Sequence, residues 1–517
     1  MIGEMDADMV VGYFGGKSIL ITGSTGFLGK VLVEKILRVQ PDVKKLFLLV
    51  RAPDVESAKL RIQTEVTGRE IFLVLKEKHG MGFDDFIEEK ICPLAGDIMY
   101  ENFGLDTANL RELSKDIDII VNIAAITNFS ERYDVAFDAN VLGAKHVCAF
   151  ARKCTKLKML LHVSTAYVAG EQEGLILEKP FLMGETLREG THLDIESELT
   201  LIRETRRELK DNCSSEKAER RTMKELGLKR SDINNNSIDM LVHFFLLQLG
   251  SAVWVAKHLC LHQGNGGDAA GASARGASRG HPPAEHHNQH PQGAITWMDG
   301  RNQDDHAVVI GYAKQTLPFF LVDLSLIMDV IPGDMVVNAM MVAMAAHSEE
   351  RAQTIYHVTS SLRNPAPYAI LADTGHRYFY DNPPRTGRNG EPARLNKMRF
   401  FSTVARLSLY MAVRYRLPLE MLRLVNIALC GFFSQRYDDL SRKYRFIVQL
   451  IELYAPYSLF KGCFDDMNTE RLRMAMKKEQ HSNIAEEFYF DFDPKSIDWD
   501  SYFYGVHIPG VLKYMRD

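Results

Sequence analysis

Twelve residues near the start, Ile19-Leu20-Ile21-Thr22-Gly23-Ser24-Thr25-Gly26-Phe27-Leu28-Gly29-Lys30, constrain the fold of this chain more than any other stretch. The β-branched, apolar run from Lys17 to Thr22 predicts a buried parallel strand, while Phe27, Val31, Leu32, Ile36 and Leu37 recur at the spacing of one helix face. Glycines at 23, 26 and 29 stand between the two. In that place they let the chain turn tightly, bring a pyrophosphate onto main-chain N–H groups, and let the helix pack close to the strand. Strand, glycine turn and helix in this order point to dinucleotide binding, with Gly23, Ser24, Thr25, Gly26, Phe27, Leu28 and Gly29 as candidate contacts.

Further buried strands follow at the intervals of an α/β chain. Leu46 to Val50 ends at Arg51, about twenty residues past the turn, where an acidic residue would bind the ribose hydroxyls of NAD and a guanidinium can pair with a 2′-phosphate. Arg51 therefore points to NADP, against the alternative of an arginine merely solvated at a strand end. Ile91 to Leu94 runs into Ala95-Gly96-Asp97, where Asp97 either accepts from an adenine amino group or caps a helix. Asp118 to Ala125 ends in Asn122-Ile123-Ala124-Ala125, residues small enough for close approach to a ribose or nicotinamide, so Asn122 and Ala124 join the cofactor candidates. Asn140 lies early in the next helix. Met159 to Thr165 is a fifth strand whose hydroxyls, Ser164 and Thr165, fall at the carboxyl end, the edge where open α/β sheets bind ligands.

Length and composition allow two or three ordinary globular domains in 517 residues. A net charge of −5 and a pI near 6.4 supply no global basic field for nucleic acid. Seven scattered cysteines without a Cys-x-x-Cys pair predict neither a disulfide framework nor a zinc site, and fit a reducing compartment. No signal-like or transit-like series precedes the first strand, so the expected location is the cytoplasm or the cytosolic face of the endoplasmic reticulum. The apolar stretch Phe400 to Phe433 is cut by Arg406, Arg414, Arg416 and Arg423, so it is not a simple transmembrane helix, and an amphipathic helix pair lying on a membrane stays open as an alternative.

The glycine spacing, Arg51, Gly96-Asp97, the Asn122 strand end, Asn140 and His162-Val163-Ser164-Thr165-Ala166-Tyr167-Val168 together resemble extended short-chain dehydrogenases, and more narrowly the alcohol-forming fatty acyl-CoA reductases of the plant type. Asp329-Val330-Ile331-Pro332-Gly333-Asp334-Met335-Val336-Val337-Asn338, Pro456-Tyr457, Phe464 to Thr469, Phe490 to Asp493, Ile497 to Trp499 and His507 to Gly510 are similar to segments of the same family. The resemblance implies a Rossmann-type doubly wound parallel sheet over residues 12–370 and a mostly helical domain over 395–517. It implies NADPH as cofactor, a long-chain fatty acyl-CoA as substrate and no metal. The implied chemistry is two hydride transfers, through the aldehyde to the primary alcohol. Thr165, with Ser164 beside it, is then expected to polarise the carbonyl, and Asn140 to support the catalytic lysine. A sugar-nucleotide or steroid dehydrogenase is the competitor within the fold; the C-terminal motifs speak against it.

That lysine, and the tyrosine four residues before it, should lie between Glu225 and Gln315, and no Tyr-x-x-x-Lys occurs there. Tyr457 and Lys461 have the spacing but belong to the C-terminal segment, where they read as packing. Ser231 to His306 instead carries an asparagine run, an apolar patch at Met240 to Leu249, and a Gly, Ala, His, Pro and Arg stretch without hydrophobic period. His281, His286, His287 and His290 have no companion ligands at metal-binding spacing, and an unstructured segment is expected. Codon arithmetic explains the change of character. Read one nucleotide out of step, the codons for Trp254 to Asp268 permit Gly-Trp-Pro-Asn-Thr-Tyr-Val-Phe-Thr-Lys-Ala-Met-Gly-Glu, and Trp297-Met298-Asp299 forces a second Gly-Trp where the family has one. Residues from about Val253 to His306 thus read as an out-of-frame version of the catalytic segment, and Ser231 to Leu249 as translated intron. The expected consequence is a sheet short of one interior strand and a site without its acid, leaving a catalytically inactive NADP-binding protein as the alternative function.

Overall fold

The computed structural model describes residues 2–127, 131–169, 172–179, 194–227, 252–257, 307–314, 317–348, 353–383, 396–476 and 490–514. Its centre is a seven-stranded parallel sheet: β1 (Ser18–Thr22), β2 (Lys45–Val50), β3 (Ile91–Ala95), β4 (Ile119–Asn122), β5 (Met159–Thr165), β6 (Ala252–Lys257) and β7 (Gln353–Val358), in the spatial order β3-β2-β1-β4-β5-β6-β7. The order reverses between β1 and β4, and the ligand crevice of such sheets opens at the carboxyl ends of that pair.

Period-two alternation builds the two faces. Ile19 and Ile21 of β1, Leu46 and Leu48 of β2, Ile119 and Val121 of β4 and Leu161 of β5 enter one core with helices Ala7–Phe14, Phe27–Val39 and Gly333–Ala346. Leu20, Leu49, Ile120 and Leu160 turn the other way, against Leu110 and Leu113 of helix Thr107–Asp116 and Ala144, Val147 and Phe150 of helix Gly143–Ala151. Helix Gly333–Ala346 is apolar on every side, and it is covered on every side: eleven of its fourteen residues are buried.

The interior strand expected to be missing is present. The sheet does not lose an interior member, because Ala252–Lys257 pairs in parallel with β5 on one side and β7 on the other. An interior strand asks only for a short β-forming run that hydrogen-bonds along both edges, and Ala-Val-Trp-Val-Ala-Lys meets that demand in the frame as it stands. The remainder of 231–306, including the four histidines and the apolar patch, lies outside the described residues.

The C-terminal third is helical but returns to the nucleotide fold. Helices Val404–Met411, Leu417–Ala428, Ser434–Ser458 and Met467–Ala475 follow one another. The short strand Arg399–Phe401 pairs with Phe319–Leu321, and Gly462–Phe464 with Gly174–Ile176. Leu472, Phe490 and Phe492 then enter the core beside β1, and Asn338 Nδ2 donates to the Asp491 carbonyl at 2.7 Å.

Candidate functional site

The glycine turn has the geometry that its sequence requires. Gly23 sits at φ 72°, and a Cβ there would come within 2.7 Å of the Ala124 nitrogen. A Cβ on Gly29 would lie 2.3 Å from the Gly23 carbonyl oxygen, so the helix packs on the turn only because both residues lack side chains. Gly26 donates to the Gly23 carbonyl at 3.0 Å and caps helix Phe27–Val39. Phe27 and Leu28 are buried in the core, so they offer a ligand their N–H groups and not their side chains. Ser24 is fully buried, and its Oγ has no hydrogen-bond partner. An orphaned hydroxyl beside free helix N–H donors is what a bound phosphate would satisfy, so these residues fit a dinucleotide.

Beneath the turn runs a polar rung that sequence reasoning named only in part. Thr22, Asn122 and His162 stand in register on β1, β4 and β5. Thr22 Oγ1 donates to Asn122 Oδ1 at 2.6 Å and accepts the N–H groups of Ile123 and Ala124 at 3.2 Å each. Asn122 Nδ2 lies 2.9 Å from His162 Nδ1; with the amide as donor, the imidazole carries its proton on Nε2. Asn122 is thus committed to Thr22 and His162, while Thr22 Oγ1 holds the Ile123-Ala124 backbone against Gly23. Thr22 and His162 were missed as site residues, although each is the polar residue near the end of an apolar strand, at matching depth.

The other candidates spread along the same edge. Arg51 is exposed just beyond β2, with its carbonyl accepting from Arg61 at 2.5 Å. Asp97 Oδ1 accepts from the Met99 N–H at 3.0 Å, two residues on in the turn after β3, and caps no helix. Asn140 lies in the π-helical turn Asp138–Leu142 and grips the loop after β4 at both ends of its amide, accepting from Ile126 N at 2.7 Å and donating to Ile126 O at 3.0 Å. Thr165 is exposed at the end of β5, where its Oγ1 accepts from the Tyr167 N–H at 3.3 Å; its own proton stays available to a ligand.

Tyr457 and Lys461 do not share a helix face, because helix Ser434–Ser458 ends between them. Lys461 pairs with Glu173 at 2.9 Å, and Tyr457 packs edge-on to Tyr167, with ring centroids 5.3 Å apart. Tyr13 and Lys17 repeat the spacing but are separated by the end of helix Ala7–Phe14. Near the far side of the sheet, Glu178 ties three segments together by accepting from His357 N at 2.8 Å and Asn468 N at 2.6 Å. Burial pushes its carboxyl up to about 8 against the pull of those two donors. Asp134, fully buried, accepts from both Arg132 and Arg206 at 2.8 Å and so anchors helix Ile195–Asp211. Among the described residues no group of three or more His, Cys, Asp or Glu is placed to hold a metal, and no helix is long and apolar enough to cross a membrane.

Comparison with known proteins agrees with this geometry at two levels. Residues 21–235 match an NAD(P)-binding family and residues 414–517 a second family, both described as male sterility protein. Among solved structures, the reductase domain of a nonribosomal peptide synthetase from Mycobacterium tuberculosis superposes with a TM-score of 0.52 at 17% identity, covering 99% of this chain and 95% of that one, which shows the fold alone. Fatty acyl-CoA reductase 1 of Arabidopsis thaliana is 44% identical over 515 residues, 98% of each chain. The alcohol-forming fatty acyl-CoA reductase of Simmondsia chinensis is 41% identical over 509 residues, again 98% of each. Identity that runs the length of both halves, beyond what a shared nucleotide fold demands, makes this chain a member of the fatty acyl-CoA reductase family.

Proposed function

We propose that the scaffold is an NADPH-dependent reductase that takes a long-chain fatty acyl-CoA through the aldehyde to the primary alcohol. The observation that carries this reading is the near-full-length identity with enzymes of that name, one of them alcohol-forming. NADPH, when bound, supplies the hydride for each of the two reductions. The chain's own residues do the rest. The free N–H groups at Phe27, Leu28 and Gly29 and the Ser24 hydroxyl hold the pyrophosphate. Arg51, exposed at the end of β2, pairs with the 2′-phosphate, and the Ala124 backbone borders the ribose. Thr165 donates its hydroxyl proton as a hydrogen bond to the carbonyl oxygen, with Ser164 beside it, while Asn140 holds the Ile126 backbone after β4.

A second reading is favoured by one specific observation: no Tyr-x-x-x-Lys lies between Glu225 and Gln315. A threonine hydroxyl polarises a carbonyl but is far too weak an acid to deliver a proton at neutral pH, which the aldehyde step requires. With residues 231–306 as they stand, the chain binds cofactor and does not turn over. Two proteins decide this, the chain as given and one carrying the shifted-frame sequence over 253–306. Binding of NADPH and NADH by titration calorimetry, and alcohol formation from long-chain acyl-CoA, are measured for both. The expected result is NADPH preferred over NADH by about tenfold or more in both, reversed by Arg51→Glu, with alcohol from the second alone. Alcohol from the first would sink the inactive reading, and absence of NADPH binding in both would sink the reductase assignment.

A further inference from the structure

The backbone after β3 takes a path that side chains ordinarily oppose. Asn102, Phe103 and Gly104 follow one another in the left-handed region, at φ 54°, 61° and 71°. Glycine is at home there and asparagine is tolerated, but phenylalanine is not, and residues with side chains enter the region singly and not in succession. Among the described residues no other two neighbouring non-glycine residues do so.

What the strain holds is a closed loop. Asp97 N donates to the Phe103 carbonyl at 2.9 Å, Phe103 N to the Tyr100 carbonyl at 3.0 Å, and Tyr100 N to the Asp97 carbonyl at 3.2 Å. Gly96 makes room for it, since a Cβ there would lie 2.5 Å from the Phe103 oxygen. Helix Gly143–Ala151 and the turn after it fasten the loop along one face. His146 Nδ1 donates to the Ile98 carbonyl at 2.8 Å, the Phe150 ring packs edge-on to Phe103 with centroids 5.2 Å apart, and Lys153 Nζ donates to Asn102 Oδ1 at 2.7 Å. A conformation this costly persists only where its surroundings over-determine it, and the group it presents is the place to look for a function.

That group is Asp97. Gly96 N bonds the Val50 carbonyl at 3.0 Å, so Asp97 stands at the carboxyl edge beside the end of β2, where Arg51 lies. Its Oδ1 takes the Met99 N–H, and among the described residues nothing donates to Oδ2. A half-buried carboxylate with one oxygen committed accepts at a single point: it takes an N–H from an exocyclic amino group and repels a carbonyl in the same place.

We propose that Asn102-Phe103-Gly104 is the positioning element for the cofactor's base, holding Asp97 so that Oδ2 accepts from the adenine amino group. Asn102 and Phe103 are positioning residues, since they act through Asp97. The inference rests on the NADPH reading of this site and adds to it the selection of the base. The full chain is titrated calorimetrically with NADPH and with its hypoxanthine analogue, in which a carbonyl replaces the amino group. Wild type is expected to prefer NADPH by about tenfold or more, and Asp97→Ala to lose that preference. Asn102→Val puts a β-branched residue in the left-handed position and is expected to bring the preference to about twofold or less, with binding of the analogue changed less than about threefold. Asn102→Gly, which adopts the same backbone freely, is expected to restore it. Lys153→Met removes only the side-chain hold on Asn102; its preference is expected to lie between the two, and it decides the matter if Asn102→Val does not fold.

Equal binding of the two dinucleotides by wild type overturns the proposal and leaves the NADPH reading standing. A wild-type preference in Asn102→Val also overturns it, as does one in Lys153→Met where the first variant is unfolded. So does a loss in Asn102→Gly as large as in Asn102→Val, because the asparagine side chain and not the turn would then matter. Binding of neither dinucleotide overturns the proposal together with the cofactor reading.

Discussion

Helices Gly333–Ala346 and Leu417–Ala428 are built from much the same apolar alphabet, and the structure treats them in opposite ways. The first is enclosed by β1 and its neighbours, by helix Phe27–Val39 and by the returning C-terminal residues. The second has no fully buried residue, only Leu419, Leu422 and Asn426 half-buried where it lies along helix Ser434–Ser458. What separates them in sequence is the distribution of charge. Gly333–Ala346 carries one ionisable residue, Asp334, at its first turn, whereas the stretch around Leu417–Ala428 places an arginine within every turn or two. Apolarity thus says that a surface wants covering, and the charge pattern says whether the cover is protein interior or something met later.

The comparison breaks most sharply under one substitution made in both helices. Met340 is fully buried, and Met340→Asp is expected to leave no soluble folded protein, because an unpaired carboxylate there outweighs the usual total stability of about 5–15 kcal/mol. Expression and circular dichroism check it. Met340→Ala, which only removes packed atoms, is expected to cost about 3 kcal/mol in a urea titration. An intermediate case is helix Ile195–Asp211, held partly by the buried Asp134. Burial pushes that carboxyl up, and the hydrogen bonds from Arg132 and Arg206 more than reverse the push, holding it below its ordinary 3.8. Asp134→Asn is expected to cost about 2 kcal/mol at neutral pH. Since the carboxyl is depressed in the folded chain, its contribution is complete above 3.8 and disappears as pH falls through the lower folded value, so wild type and variant should converge in acid. Least affected is Met421→Asp, on the exposed face of its helix, expected within about 0.5 kcal/mol of wild type in a urea titration; a larger loss would mean that this face is covered.

Much of the fold was legible because local signals agreed with one another. The strands ending at Thr22, Val50, Asn122 and Thr165 could be read from apolar runs, and the glycines from the backbone conformations that the turn demands. The polar rung was only half legible: Asn122 could be named, but its partners Thr22 and His162 become neighbours through parallel pairing, which no periodicity along the chain encodes. Glu178 was invisible for the same reason, since its two N–H donors come from residues 179 and 290 positions away. The expected loss of an interior strand overstated the structural cost of the unusual segment, because a strand position is filled by almost any short β-forming run, while a proton donor must be one particular residue.

The way the C-terminal residues return to the sheet also bears on how the molecule comes into being. Met5 N–H bonds the Ala475 carbonyl at 2.8 Å, and Phe490 and Phe492 complete the core that β1 begins. On the ribosome, the nucleotide-binding half therefore emerges with part of its interior still unsynthesised and its apolar face open to solvent. Such long-range closure slows folding and lengthens exposure to aggregation, so this fold is sealed only once Phe490 and Phe492 have left the exit tunnel.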